Sequence, residues 1–209
     1  MEQDRKKLTL EEARKVINEQ DAIILEAFEK RMAAAKEAVR NKIEAGTPIY
    51  VPAREQEILD RIVEKDILVQ AQPIFIDYDR NIVEPLCGRS LAETSYNFGT
   101  LLKRGAHLSY GTDCPVESCN PFPNIYMAVT RKGADGKPEG GFYPQQCVDV
   151  ETAIDAYTYE SAYCEFKEDR KGRIKPGYYA DFLVLDTDIF TCDPMRIKDI
   201  LPVMTVVGG

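Results

Sequence analysis

Between Leu10 and Val39 the apolar residues Leu10, Ala13, Ile17, Ile24, Phe28, Ala35 and Val39 fall at intervals that trace a single helix face. Thr9 is placed to cap its start, with Glu11 and Glu12 in the first turn, where the helix dipole favours acids. Gly46 and Pro48 supply the stop. The pattern predicts one unbroken helix over residues 8–45, ~57 Å long at ~1.5 Å per residue. Such a rod is too long to be buried inside a compact monomer of this size, so it asks for a partner helix. A shorter helix over 53–64 follows the loop TPIYVP.

Beyond Asp66 the pattern changes to short apolar runs separated by turns. ILVQAQPIFI and AHLSYGTD read as strand stretches, with a helix over 91–104 between them. PFPNIYMAVTRK and DVETAIDAYTYESAYC read as helices on either side of the Gly-rich GADGKPEGG, and DFLVLD and TVVGG as closing strands. Alternating strands and helices indicate an α/β unit. Two domains follow: residues 1–66, a helical hairpin, and 67–209, an α/β segment.

Three cations interrupt the apolar stripe of the long helix: Arg14, Arg31 and Lys42. A charge facing a helix–helix seam is costly unless an opposite charge meets it there. An anion-binding site between helices is therefore expected. Arg14 and Arg31 stand ~25 Å apart along one helix and cannot share one small ligand. Two antiparallel copies would bring Arg14 of one chain near Arg31 and Lys42 of the other, so the seam predicts a homodimer with composite sites.

These residues carry a resemblance. Arg14 seven residues before Asp21, an apolar run ending at Arg31, Lys42, Gly-x-Pro-Ile at 46–49, and Arg54-Glu55 together resemble the first two helices of the all-helical chorismate mutases. The resemblance implies an isomerase of aromatic amino acid biosynthesis. It would turn chorismate into prephenate by a pericyclic rearrangement that needs no cofactor. Arg14 and Arg31 would grip carboxylates, which the forked guanidinium suits. Lys42 would donate to the ether oxygen, Arg54 would add a further cation, and Glu55 would bind the substrate hydroxyl. Val51 stands where that family has an acid, and no counterpart of its third helix follows Lys65. Activity would then be weak or absent.

The rest of the chain resembles the C-terminal portion of the YtcJ-like amidohydrolases. VQAQPIFI is similar to a late barrel strand, and LLKRGAHLSYGTDCPVESCNPF to the final one, whose acid is a metal ligand or proton shuttle. Asp113 holds that place. EDRKGRIKPGYYADFLVLD matches the G-x-I-x-P-G-x-x-A-D-x-x-V-L-D signature that returns the chain to a small β-sandwich. The resemblance implies a partial TIM barrel with terminal sandwich strands. Its metal-dependent hydrolysis would require histidines from several strands, and the chain has one, His107. Asp113 also suits a plain turn, and His107 reads as a surface or satisfied residue. The alternative to the isomerase is thus an amidohydrolase fragment, a metal-dependent hydrolase only if completed by another chain, and otherwise a non-catalytic dimerising protein.

Charge and composition narrow the classes. A net charge of −8 over 209 residues argues against general nucleic-acid binding. No apolar stretch approaches a membrane span, and the first residues lack a signal peptide's apolar core, so a cytoplasmic protein is expected. Cys87, Cys114, Cys119, Cys147, Cys164 and Cys192 are then reduced thiols, since CPVESC is not a metal-binding pair.

Overall fold

The computed structural model describes residues 8–48 and 50–209. The expected absence of a signal segment falls partly on residues 1–7, and the Gly-x-Pro-Ile motif includes Ile49; both lie outside the described residues. The chain forms two compact units, Met1–Val51 and Pro52–Gly209.

The first unit is helix α1, Leu10–Glu44. Its start is fixed by a reciprocal cap. Thr9 Oγ1 accepts from the Glu12 amide at 3.2 Å, and the Glu12 carboxylate accepts from the Thr9 amide at 2.8 Å. Gly46, at φ +62°, ends it in the left-handed conformation glycine tolerates. None of the described side chains of α1 is buried.

The second unit begins with α2, Pro52–Glu64, whose apolar face packs inward. Buried Leu59 meets Leu101 and Ala106, with Ile62, Val63 and Val69 alongside. Arg104 reaches back to Asp60 and Gln56. Helix α2 thus finds its apolar partners among the residues that follow Asp66.

Strand β1, Val69–Ala71, pairs in parallel with β2, Leu108–Tyr110, with Ala71 beside Tyr110. The strand expected to run through PIFI stops at Ala71. Pro73 offers no amide to a ladder, and the Ile74 amide donates instead to buried Asn124 Oδ1 at 2.9 Å. Residues 75–79 turn into α3, Phe75–Asp79, followed by α4, Val83–Cys87, and α5, Arg89–Ala92. The helix expected over 91–104 is broken: Tyr96 stands at φ +53°, and α6 begins only at Phe98, ending at Lys103.

Helix α7, Phe122–Thr130, contributes Ile125, Tyr126, Met127 and Ala128 to the core, with Ile76, Leu108 and Ile197. Helix α8, Val150–Tyr157, is capped by the Asp149 side chain, and Thr158 breaks it from α9, Tyr159–Cys164. Strands β3, Phe182–Leu185, and β4, Pro202–Val206, form an antiparallel pair. The architecture is helix-rich with two small sheets. Among the described residues neither sheet has a third strand.

Candidate functional site

In parallel sheets, ligands gather where the carboxyl ends of the strands open into loops. Here β1 opens into Gln72-Pro73 and β2 into Gly111-Thr112-Asp113, joined by the Gly111 amide donating to the Ala71 carbonyl at 3.0 Å. Asp113 sits at φ +59°, and its carbonyl accepts from the Val116 amide at 2.8 Å. That tight turn leaves the carboxylate exposed, with no side-chain hydrogen bond among the described residues. Glu117 follows in the same turn and accepts from the Tyr78 hydroxyl of α3 at 2.5 Å. That bond pushes the Tyr78 pKa upward. The strand ends therefore present two carboxylates and a phenol.

The second unit is braced by Arg131, which is fully buried. Its Nε donates to the Phe142 carbonyl, Nη1 to the Tyr96 carbonyl at 2.9 Å, and Nη2 to the Ser95 carbonyl at 3.5 Å. Burial pushes its pKa down to about 10, so it stays a cation at neutral pH. The buried Tyr110 and Tyr157 hydroxyls have no hydrogen-bond partner among the described residues, and burial raises both pKa values. The sequence pattern marks none of these. Arg131 ends a helix in TRKG, a place normally given to a solvated cation.

His107 lies at the amino end of β2, the opposite end from Asp113. Its Nδ1 is 2.7 Å from Glu160 Oε2, and its ring stacks on Tyr163 at 4.1 Å. It is a satisfied residue, as the sequence suggested, and it cannot meet Asp113 at one ion. Among the described residues no group of three or more His, Cys, Asp or Glu side chains could hold a metal. All six cysteines are unpaired.

The cations of the long helix are spread out. Arg14 and Arg31 are exposed along α1, seventeen residues apart, and α1 alone does not bring them together. Lys42 is half-buried in its last turn. Arg54, paired with Glu57 at 2.5 Å, and half-buried Glu55 belong to the other unit.

Comparison with known proteins decides between the two resemblances. The amidohydrolase family model matches residues 13–209, which includes α2 and nearly all of α1. The chain belongs to the amidohydrolase family. The resemblance of residues 10–59 to chorismate mutases is accordingly unsupported, because the same helices fall within the amidohydrolase match. A putative amidohydrolase YtcJ from Bacillus subtilis is 31% identical over 183 residues, covering 84% of this chain and 35% of that protein. An N-substituted formamide deformylase from Arthrobacter pascens is 27% identical over 110 residues, covering 53% of this chain and 20% of that protein. An uncharacterized metal-dependent hydrolase from Pyrococcus horikoshii superposes with a TM-score of 0.56 at 26% identity, covering 78% of this chain and 33% of that one. The chain spans about a third of the length of the first and last of these relatives.

The metal implied by such neighbours does not fit the residues present. Among the described residues, one histidine turned toward Glu160 at the far end of the strand and the carboxylates of Asp113 and Glu117 at the near end do not make a binding set. No helix among the described residues is long and apolar enough to cross a membrane.

Proposed function

We propose that this chain is an amidohydrolase segment that takes part in hydrolysis only when another polypeptide supplies the missing barrel strands. The observation that carries this reading is the parallel β1–β2 pair, which delivers the exposed Asp113 carboxylate to the carboxyl end of the sheet. A carboxylate there, free of side-chain partners among the described residues, can accept a proton from an attacking water or pass one to a departing amine. Glu117, four residues on in the same turn, accepts from the Tyr78 hydroxyl. The open sheet is the second support, since parallel strands are ordinarily flanked at both edges and covered on both faces.

The test is complementation. The purified chain is combined with the N-terminal two-thirds of the Bacillus subtilis relative and assayed on simple N-acyl and N-formyl amides. Hydrolysis is expected only in the mixture, falling at least ~100-fold with Asp113→Asn. Equal hydrolysis by the lone chain, or by the Asp113→Asn mixture, contradicts the reading.

A further inference from the structure

Helix α1 exposes large apolar side chains along its whole length: Ile17 is 56% exposed, Ile24 65% and Phe28 56%. A contiguous apolar stripe of this kind marks a surface that is covered in the working protein. The stripe follows positions spaced alternately four and three apart, the repeat of a two-helix seam.

We propose that α1 docks on α1 of a second copy, antiparallel, with the twofold axis at Glu26. The sequence of the stripe is complementary to its own reverse about that point. Ile24 faces Phe28 of the other copy, and Ile17 faces Ala35. Between those apolar layers Asp21 faces Arg31, and the symmetry makes that pairing twice. A parallel pairing would instead set Asp21 on Asp21 and Arg31 on Arg31, like charges in contact, so the charge pattern selects the antiparallel arrangement. Arg14 and Lys42 fall in the outermost layers, opposite Ala38 and Leu10, where long stems carry their charges past the seam into water. Ala27 and Ala34, small residues on one flank, let the two rods approach closely.

This register changes the meaning of Arg31. Its charge is met by a carboxylate of the second copy, so its place on the apolar stripe needs no bound acid. A buried pair of this kind adds little net stability but fixes register, because a shifted alignment would strand both charges. An unrelated partner would have no reason to require a stripe that mirrors itself.

Charge reversal in the full chain, followed by analytical ultracentrifugation at micromolar concentration, tests the seam. The wild type is expected to be a dimer. Arg31→Asp should weaken it by at least ~100-fold, since two carboxylate pairs would then face each other. The double reversal, Asp21→Arg with Arg31→Asp, should restore association to within ~10-fold of wild type. Lys30→Asp, on the solvated face where Lys30 pairs with Glu26 at 2.6 Å, should leave the dimer intact. A monomeric wild type, a dimer indifferent to Arg31→Asp, a double reversal that stays apart, or equal weakening by Lys30→Asp each overturns the proposal.

Discussion

Arg131 donates from Nη1 to the carbonyl of Tyr96 at 2.9 Å, although thirty-five residues separate them in the chain. Both residues lie in the left-handed region, Arg131 at φ +51° and Tyr96 at φ +53°. The guanidinium collects carbonyls from two loops that no helix or strand claims. Replacing Arg131 with Met keeps the stem's packing but strips the buried Phe142 carbonyl of its guanidinium donor, at about 1–3 kcal/mol, and removes charged donors from the Ser95 and Tyr96 carbonyls, the latter keeping the Phe98 amide. Urea unfolding of Arg131→Met should show a loss of at least ~3 kcal/mol, and Arg131→Lys should recover only part of it, lacking the planar fork.

Gly172 sits in the G-x-I-x-P-G signature at φ +85°, where a Cβ would come 2.8 Å from the Thr158 carbonyl oxygen and 2.9 Å from the Ala162 side chain. Gly88 has a similar φ of +77°, but a Cβ there would meet nothing within 4 Å. Gly88→Ala should cost about 1–3 kcal/mol for conformation alone, since its ψ of 160° places it in a region that only glycine adopts readily. Gly172→Ala should cost at least ~1 kcal/mol more, because backbone must move. Parallel thermal melts of the two variants measure the difference.

Asp149 caps α8 by accepting from the Thr152 amide at 2.7 Å. Bonding to the Thr152 side chain and amide holds its pKa below the usual carboxylate value. A depressed native pKa stabilises the fold above the unfolded-state value and loses that contribution as pH falls through the native one. Asp149→Ala should cost about 1 kcal/mol at neutral pH. The gap from wild type should shrink as pH falls below the ordinary aspartate range, and should not change between pH 6 and 8 (roughly two units above that range). Denaturation midpoints across that series check the sign.

What was legible in the sequence was what depends on near neighbours. Thr9 with Glu12 and Gly46 bracket α1 within a residue or two of the expected ends, because caps and periodicity are local. The turn at Asp113 was legible for the same reason. The break in the helix expected over 91–104 was not, since the Ser95 and Tyr96 carbonyls are drawn to Arg131 from far along the chain. Nor was the end of β1 at Ala71 fully legible, where the chain turns and Asn124 takes the Ile74 amide. The allegiance of α2 depended on Leu59 finding Leu101 and Ala106, contacts that no periodicity reveals. The mutase-like spacing of Arg14, Arg31 and Lys42 was legible because it is local to one helix, but spacing on a helix does not specify what faces it.

Among the described residues Asp113 lacks the partners that would make it part of a metal site, and the proposed hydrolysis in a completed barrel rests on that gap. Elemental analysis of the purified protein, after incubation with zinc and exhaustive dialysis, is the decisive experiment. Zinc is expected well below one ion per chain, rising only when the complementary barrel segment is present. One or two tightly held zinc ions per isolated chain would contradict it.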